Sequence, residues 1–371
     1  MRSLVTVDPA NTEDVVDAVT LALAGKGSVC VTTGEVDVTE VPDECAIVVL
    51  TSGSTAAPKR VALSGEALRA SAQATTDAIG KGNWVLALPL NFIAGLMVVV
   101  RSIVDQTQLV DLRSEPFDAQ AFTDEVANLP DGPWFTSLVP AQLSRLVDLA
   151  ERDTGASQAL ARFSASLVGG QAIPEGLVAR AEGIGARVVR TYGSAETAGG
   201  VVYDGVPIGD TALRTDSDGV LQISSSSLAD GYLVDPERTA REFTTEANGQ
   251  RWFRTSDRAT IENGKLTILG RVDDIIVTGG VKVSLADIDR VLEKVDGTSF
   301  ATWFTDQEWG QVPAVVADSP INLDNLRVLV ERELGKAARP YRVVTVDTIP
   351  TLPSGKPDRR ALHEIAERNK P

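Results

Sequence analysis

Four short stretches carry residue types whose spacing could do chemistry on phosphates. The first is Thr51-Ser52-Gly53-Ser54-Thr55-Ala56-Ala57-Pro58-Lys59, which sets four hydroxyls and a glycine directly after an apolar run, with a lysine close behind. Backbone N–H and hydroxyl donors on such a loop can wrap a polyphosphate while Lys59 adds charge. It lacks the GxxxxGK[ST] spacing of a Walker loop, so composition alone leaves an ordinary Ser/Thr/Gly turn equally open. The second stretch, Arg190-Thr191-Tyr192-Gly193-Ser194-Ala195-Glu196, offers a ring that could stack on a planar base and a carboxylate that could hold a hard cation such as Mg²⁺. Taken alone, a strand-to-loop turn with a solvated glutamate carries more weight. The third is Phe253-Arg254-Thr255-Ser256-Asp257 followed by Gly270-Arg271-Val272-Asp273-Asp274. Asp257 could receive both hydroxyls of a ribose and Arg271 could reach the same sugar or an α-phosphate; the plain alternative is a salt-bridged β surface. The fourth, Pro353-Ser354-Gly355-Lys356-Pro357-Asp358-Arg359-Arg360-Ala361-Leu362, puts Lys356 on a Pro/Gly-bounded loop. A mobile cation there could meet developing phosphate charge, although a solvated basic loop is the simpler reading of that segment alone.

The elements that must position these stretches alternate. Apolar spacing predicts a helix over Thr12–Ala24, strands at Ser28–Thr32 and Ala46–Leu50, and a helix over Ser64–Ile79 with Ser64 as its N-cap. Strands are expected at Trp84–Leu88, Gln108–Val110, Trp134–Ser137, Ala165–Val168 and Arg187–Arg190, with helices at Gly95–Val104, Ala119–Asn128, Ala141–Glu151 and Glu175–Glu182 between them. This alternation implies an α/β domain with a mostly parallel sheet flanked by helices. From about 200 to 270 short strands dominate (Gly219–Ser224, Trp252–Asp257, Ala259–Glu262, Lys265–Leu269), with Asp218-Gly219 and Asn263-Gly264 as hairpin signals, so a small β-rich subdomain is expected. Helices near Ser284–Val295, Asn322–Leu334 and Asp358–Glu367 belong to a small α+β C-terminal domain, and the boundary is placed near Asp273: 1–272 and 273–371.

Bulk properties remove several classes. The chain has 371 residues, 43% hydrophobic, and a formal net charge of −16. That charge argues against nonspecific binding to nucleic acid or to an anionic membrane surface. Cys30 and Cys45 read as small core residues rather than a disulfide framework. The only histidine is His363. A multi-histidine metal site is therefore impossible, and a Ser/Cys–His hydrolase would have to use this one residue. The start has no basic-then-apolar leader, and no apolar run reaches the ~20 residues of a membrane helix, so a cytoplasmic location is expected.

In this order, over roughly Ile47 to Leu362, the four stretches resemble the adenylate-forming superfamily of acyl- and aryl-CoA ligases, adenylation domains and luciferases. Any one is weak; the ordered set closed by PSGKPDRRAL is highly specific. The resemblance implies a large N-terminal domain that binds ATP and an acid, and a small mobile C-terminal lid. It implies that Thr51, Ser52, Gly53, Ser54, Thr55 and Lys59 bind the phosphates of ATP. The loop Val168-Gly169-Gly170-Gln171-Ala172 would pass the adenine, Tyr192, Gly193, Ser194 and Ala195 would complete the nucleotide pocket, and Asp257 and Arg271 would hold the ribose. Glu196 would bind Mg²⁺. Lys356 would contact the attacking carboxylate and the α-phosphate, then leave as the lid rotates on Asp273. The loop Thr278-Gly279-Gly280-Val281-Lys282 would then face a thiol, that of CoA. No step needs an enzyme nucleophile or a histidine base.

The phosphate loop begins about fifty residues into the chain, far earlier than in most relatives. With LPLNFIAGLMVVVRS, TSLVPAQLSRL and LVGGQAIP this is similar to the short actinobacterial o-succinylbenzoate–CoA ligases of menaquinone synthesis. The acid is then aromatic with a succinyl arm. Phe92 and Gly95 would line its pocket, and Arg101 is a candidate for its second carboxylate; the bland reading of Arg101 is a surface or structural arginine. Several positions depart from the family pattern. Ala56 stands for a glycine in the phosphate loop, Phe92 for a pocket histidine, Ser194-Ala195 for Met-Thr, Ser256 for a glycine and Leu285 for a proline. These departures leave room for a slower enzyme, another acid, or a protein that binds nucleotide without turnover, and the acceptor could be a carrier-protein thiol. The retained Lys59, Glu196, Asp257, Arg271 and Lys356 favour activity. A homodimer is compatible with the resemblance.

Overall fold

The computed structural model of the chain describes residues 1–51, 59–174, 176–295, 298–352 and 357–370. The chain separates into two compact units. One comprises Met1–Arg214, Gln222–Arg254 and Glu262–Leu266; the other comprises Thr215–Leu221, Thr255–Ile261 and Thr267–Pro371.

The first unit is built on two sheets. In one, Arg2–Val7, Ser28–Val31 and Cys45–Thr51 run parallel, and the chain then doubles back so that Lys59–Ser64 pairs antiparallel with Cys45–Thr51. Its full order is Gly231–Tyr232, Lys59–Ser64, Cys45–Thr51, Ser28–Val31, Arg2–Val7, Glu40–Val41. Cys45 to Val49 are all buried, as a strand covered on both faces requires. The second sheet runs Val206–Pro207, Gly199–Tyr203, Val188–Ser194, Phe163–Gly169, Trp134–Leu138, Asn83–Leu86, Leu109–Asp111. Its strands from Val188–Ser194 to Leu109–Asp111 are parallel, and its first two are antiparallel additions.

The helix Ile93–Asp105 is apolar almost all round, and every residue from Gly95 to Ser102 is buried. Such a helix must be covered on all sides. It packs against helices Thr12–Leu23 and Gly65–Ile79 and against strands Asn83–Leu86, Trp134–Leu138 and Gly199–Tyr203. The expected N-cap at Ser64 is in place, its hydroxyl accepting the Ala67 N–H. Cys30 and Cys45 are free and buried, and burial pushes their thiols up to about 11 and about 12.

The second unit holds an antiparallel sheet of Val281–Ser284, Ile275–Thr278, Gly310–Ala317 and Ser299–Asp306, with Val343–Thr345 joining Gly310–Ala317 in parallel. Helices Leu285–Leu292 and Leu323–Leu334 close its core around Ile276, Ile288, Val291, Ala301, Val315 and Val330. A large N-terminal part of α/β class and a small C-terminal part is thus the architecture. Several details differ from expectation, among them the unexpected strand Lys59–Ser64 and helices Thr154–Ala161 and Pro236–Glu242. A single strand, Arg251–Glu262, replaces two strands broken at Arg258, because sheet pairing carries the arginine through. The hairpin Ser299–Asp306/Gly310–Ala317 and the strand Arg2–Val7 were not among the expected elements. Among the described residues no helix is long and apolar enough to cross a membrane.

Candidate functional site

The antiparallel register sets Thr51 opposite Lys59, so the two ends of the hydroxyl-rich loop are pinned side by side. Ser52, Gly53, Ser54, Thr55 and Ala56 lie outside the described residues. Lys59 leads back into the sheet, and its ammonium lies 3.1 Å from Glu196 Oε1.

Glu196 reaches that place by a tight local design. Strand Val188–Ser194 ends in the 3₁₀ turn Ala195–Thr197, where the Thr197 hydroxyl accepts the Ser194 N–H at 2.9 Å. The chain then doubles back through Ala198 and Gly199, both at positive φ. Gly193 lies so close to Gly199 that a Cβ would come within 1.9 Å of the Gly199 carbonyl oxygen; only glycine fits. The turn leaves Glu196 6% exposed. Burial opposes its ionisation, but the charge and hydrogen bond of Lys59 and a backbone N–H outweigh that and hold its carboxyl below the usual range. Gly169, at the end of the neighbouring parallel strand, pairs with Thr191, whose hydroxyl would stand 2.3 Å from any Cβ at 169. Gly170 follows at positive φ, then half-buried Gln171. The carboxyl ends of two strands of one sheet and a cation from the other therefore converge, the usual setting of a ligand crevice in an α/β protein. The departure at Ser194-Ala195 has a local answer: Ser194 Oγ is buried with no partner among the described residues, so a hydroxyl remains available one position earlier.

Two members of this cluster were missed at the level of sequence. Tyr232, on the edge strand that pairs with Lys59–Ser64, places its hydroxyl 2.9 Å from Glu196 and 3.3 Å from the Lys59 ammonium. Glu242, the last residue of helix Pro236–Glu242, is 2.5 Å from the same hydroxyl and 3.7 Å from Lys59. Burial, the charge of Glu196 and the hydrogen bond to Glu242 keep the phenol protonated, far above its ordinary value. Nothing in the spacing of GYLVDPERTARE marks these residues. Strand pairing 171 residues from Val61 to Tyr232 creates their place.

Of the residues expected to line the acid pocket, Phe92 is the N-cap position of helix Ile93–Asp105, with its ring half-buried. Gly95 is a packing residue: a Cβ there would lie 2.3 Å from the Pro89 carbonyl oxygen. Arg101 is buried, 4% exposed, so it is no surface arginine. Its guanidinium sits 5.1 Å from the Trp84 ring centre and beside Gly199, three residues from Glu196. Its Nε has no hydrogen-bond partner among the described residues. The nearby Asp105 carboxylate accepts instead from the Thr76 hydroxyl at 2.7 Å. Burial lowers the pKa of Arg101, against the pull of Tyr203 and Asp105. A buried cation without a matched anion is costly, and a carboxylate brought by a ligand would satisfy it.

In the second unit Arg271 forms a two-pronged pair with Asp273, at 3.1 and 2.8 Å. Burial works against its charge, but Asp273, then Asp257 and Asp274, raise its pKa. In the third motif, then, Asp273 holds Arg271 directly while the charges of Asp257 and Asp274 act on it. Gly279 and Gly280 turn the hairpin between Ile275–Thr278 and Val281–Ser284 at positive φ, and Lys282 is exposed. Trp309, half-exposed, presses on Gly279 and would clash with a Cβ there at 2.8 Å. Lys356 lies outside the described residues. His363 is stacked on Trp303 and its Nδ1 lies 2.9 Å from the Trp303 carbonyl oxygen, a packing role.

A family model described as AMP-binding enzyme matches residues 3–253. The chain is 38% identical over 337 residues to a probable 2-succinylbenzoate–CoA ligase of Mycobacterium tuberculosis, covering 87% of this chain and 85% of that protein. It is 28% identical over 342 residues to the 2-succinylbenzoate–CoA ligase of Escherichia coli (strain K12), covering 88% and 70%. Among solved structures, a point variant of E. coli MenE with bound OSB-AMS gives a TM-score of 0.71 at 25% identity over 93% of this chain and 75% of that one. The o-succinylbenzoate CoA synthetase of Bacillus subtilis in complex with the acyl-adenylate OSB-AMP gives 0.75 at 21% identity over 94% and 80%, a likeness of fold. With a match that spans residues 3–253, the chain belongs to the AMP-binding, adenylate-forming enzymes.

Proposed function

We propose that this protein is an ATP-dependent aryl acid–CoA ligase that acts on o-succinylbenzoate, first forming its acyl-AMP and then its CoA thioester. The observation that carries the reading is the Lys59–Glu196 pair, 3.1 Å apart, at the point where the phosphate-loop strands meet the ends of the parallel sheet. The choice of acid rests on Arg101, a buried guanidinium whose Nε lacks a partner among the described residues, and is supported by the names of the relatives above.

The chemistry balances without a protein nucleophile. An oxygen of the acid bonds to the α-phosphorus of ATP as the bond to pyrophosphate breaks, and pyrophosphate leaves with the electron pair. The CoA thiol gives up its proton and its sulfur bonds to the acyl carbon as AMP departs. Both reactants of the first step are anions, so the protein must supply positive charge. Lys59 lies at the mouth of the phosphate loop, Arg101 orients the distal carboxylate, and Lys356 approaches the α-phosphate from the C-terminal segment. Losing one such group slows related reactions by about 10²–10³. A Glu196 carboxylate held ionised is a hard oxygen donor that fits Mg²⁺. Bound there, the ion would neutralise phosphate charge. Asp257 and Arg271 hold the ribose, and the C-terminal segment turns on Asp273 between steps so that the Gly279-Gly280 hairpin and Lys282 face CoA.

The test is pyrophosphate release with ATP, Mg²⁺ and a panel of aryl mono- and dicarboxylic acids, followed by thioester detection with CoA and with a carrier-protein thiol at equal concentration. The expected result is turnover with o-succinylbenzoate and CoA, and an Arg101→Met variant that loses its preference for the diacid. Nucleotide binding without pyrophosphate release from any acid would overturn the reading in favour of a noncatalytic role, which Ala195 and Phe92 otherwise suggest.

A further inference from the structure

The phenol of Tyr232 stands between two carboxylates, 2.9 Å from Glu196 Oε1 and 2.5 Å from Glu242 Oε2. It carries one proton and donates fully to one of them. Glu242 is the closer acceptor. Its other oxygen is gripped by Arg238 at 3.2 Å and by Arg241 at 3.3 Å, so its carboxylate is held in place. Tyr232 is equally fixed: its N–H donates to the Thr239 hydroxyl, and its ring packs edge-on against Phe243. With the proton turned to Glu242, the phenol oxygen shows a lone pair to Glu196 Oε1. Two acceptors at 2.9 Å need a cation beside them, and the Lys59 ammonium is there, 3.1 Å from one and 3.3 Å from the other.

We propose that Glu242 is a positioning residue for the metal ion: by accepting the Tyr232 hydrogen bond it keeps the phenol oxygen an acceptor beside Glu196, so that the oxygens which hold Lys59 would hold Mg²⁺ when Lys59 moves to the phosphates. This rests on Glu196 as the Mg²⁺ ligand in the reading above. Without Glu242 the phenol turns its proton to Glu196 and blocks the lone pair that would face the ion.

Mn²⁺ binding to the full chain with a non-hydrolysable ATP analogue, followed by electron paramagnetic resonance, tests this directly. Glu242→Met, similar in length but without an acceptor, should raise the Mn²⁺ dissociation constant about 10–100-fold, as loss of a group that orients a metal ligand does elsewhere. Tyr232→Phe should do the same, and carries the test if the first variant does not fold. Excess metal should restore the rate of pyrophosphate release in Glu242→Met, which a merely structural role would not allow. Glu237→Gln removes one charge from the same helix at an exposed position and should bind Mn²⁺ as the parent does. Parent-like affinity in Glu242→Met, or an equal loss in Glu237→Gln, overturns the inference. Failure of the unaltered protein to bind Mn²⁺ overturns the reading on which it rests.

Discussion

Lys59 and Glu196 have side chains only 19% and 9% exposed, so the pair is largely shielded from water. Removing one partner of such a pair leaves an uncompensated ion, and Lys59→Met should cost about 3 kcal/mol at neutral pH. The sign with pH follows from the depressed carboxyl. Stability from Glu196 is present above its ordinary value of 4.5 and is lost as pH falls through the lower folded value. Parent and variant should therefore differ most at neutral pH and converge in acid; denaturant unfolding at pH 7 and at steps downward through the carboxylate range checks this, and equal stability at pH 7 would show that the pair contributes nothing. Both residues were legible in the sequence because each sits beside a recognisable strand end. Tyr232 and Glu242 were not, since only the edge-strand pairing with Val61 brings them in. Arg101 was half legible: its type marked it, but its burial depends on packing that no spacing records.

The helix Ile93–Asp105 carries the residues proposed for the acid pocket. Its first turn presses on the backbone of Leu88 and Pro89, whose carbonyl oxygens would stand 2.7 and 2.3 Å from a Cβ at Gly95. Backbone cannot give as a side chain can, so Gly95→Ala should displace the helix at a cost of about 1–3 kcal/mol. Arg101 rides on the same helix, so KM for the diacid should rise more than KM for ATP; an unchanged melting temperature and an unchanged KM would refute the argument. Elements with a long unbroken apolar run, such as Cys45–Thr51 and the first half of this helix, were readable because burial on all sides leaves such a run. Arg2–Val7 mixes exposed and part-buried residues over only six positions and buries none of them fully. Ser299–Asp306 mixes threonine, tryptophan and aspartate, and takes its identity from Gly310–Ala317 across the turn. Such strands exist by pairing rather than by local pattern.

At the scale of the whole molecule the proposed groups are divided along the chain: Lys59, Arg101 and Glu196 in the first unit, Arg271 and the Gly279-Gly280 hairpin in the second. Two half-reactions that use different sets should be separable by mutation. Lys356→Ala should abolish acyl-AMP formation while sparing thioester formation from supplied acyl-AMP; equal loss in both assays would show that its role is misassigned. The division at Asp273 follows from the motif order, while the compact units interleave through Thr215–Leu221 and Thr255–Ile261, a long-range arrangement that no linear boundary expresses.

The contact of Lys59 with Glu196, Tyr232 and Glu242 bears on what a resting enzyme encounters in a cell. Its ammonium is already quenched, so orthophosphate, sulfate and stray sugar phosphates find no bare positive charge to lodge against there. On the proposed reading, a visitor that arrives with its own divalent counter-ion would trade that ion for the lysine. A metal-bound nucleotide would then be favoured over bare anions at this point of the chain.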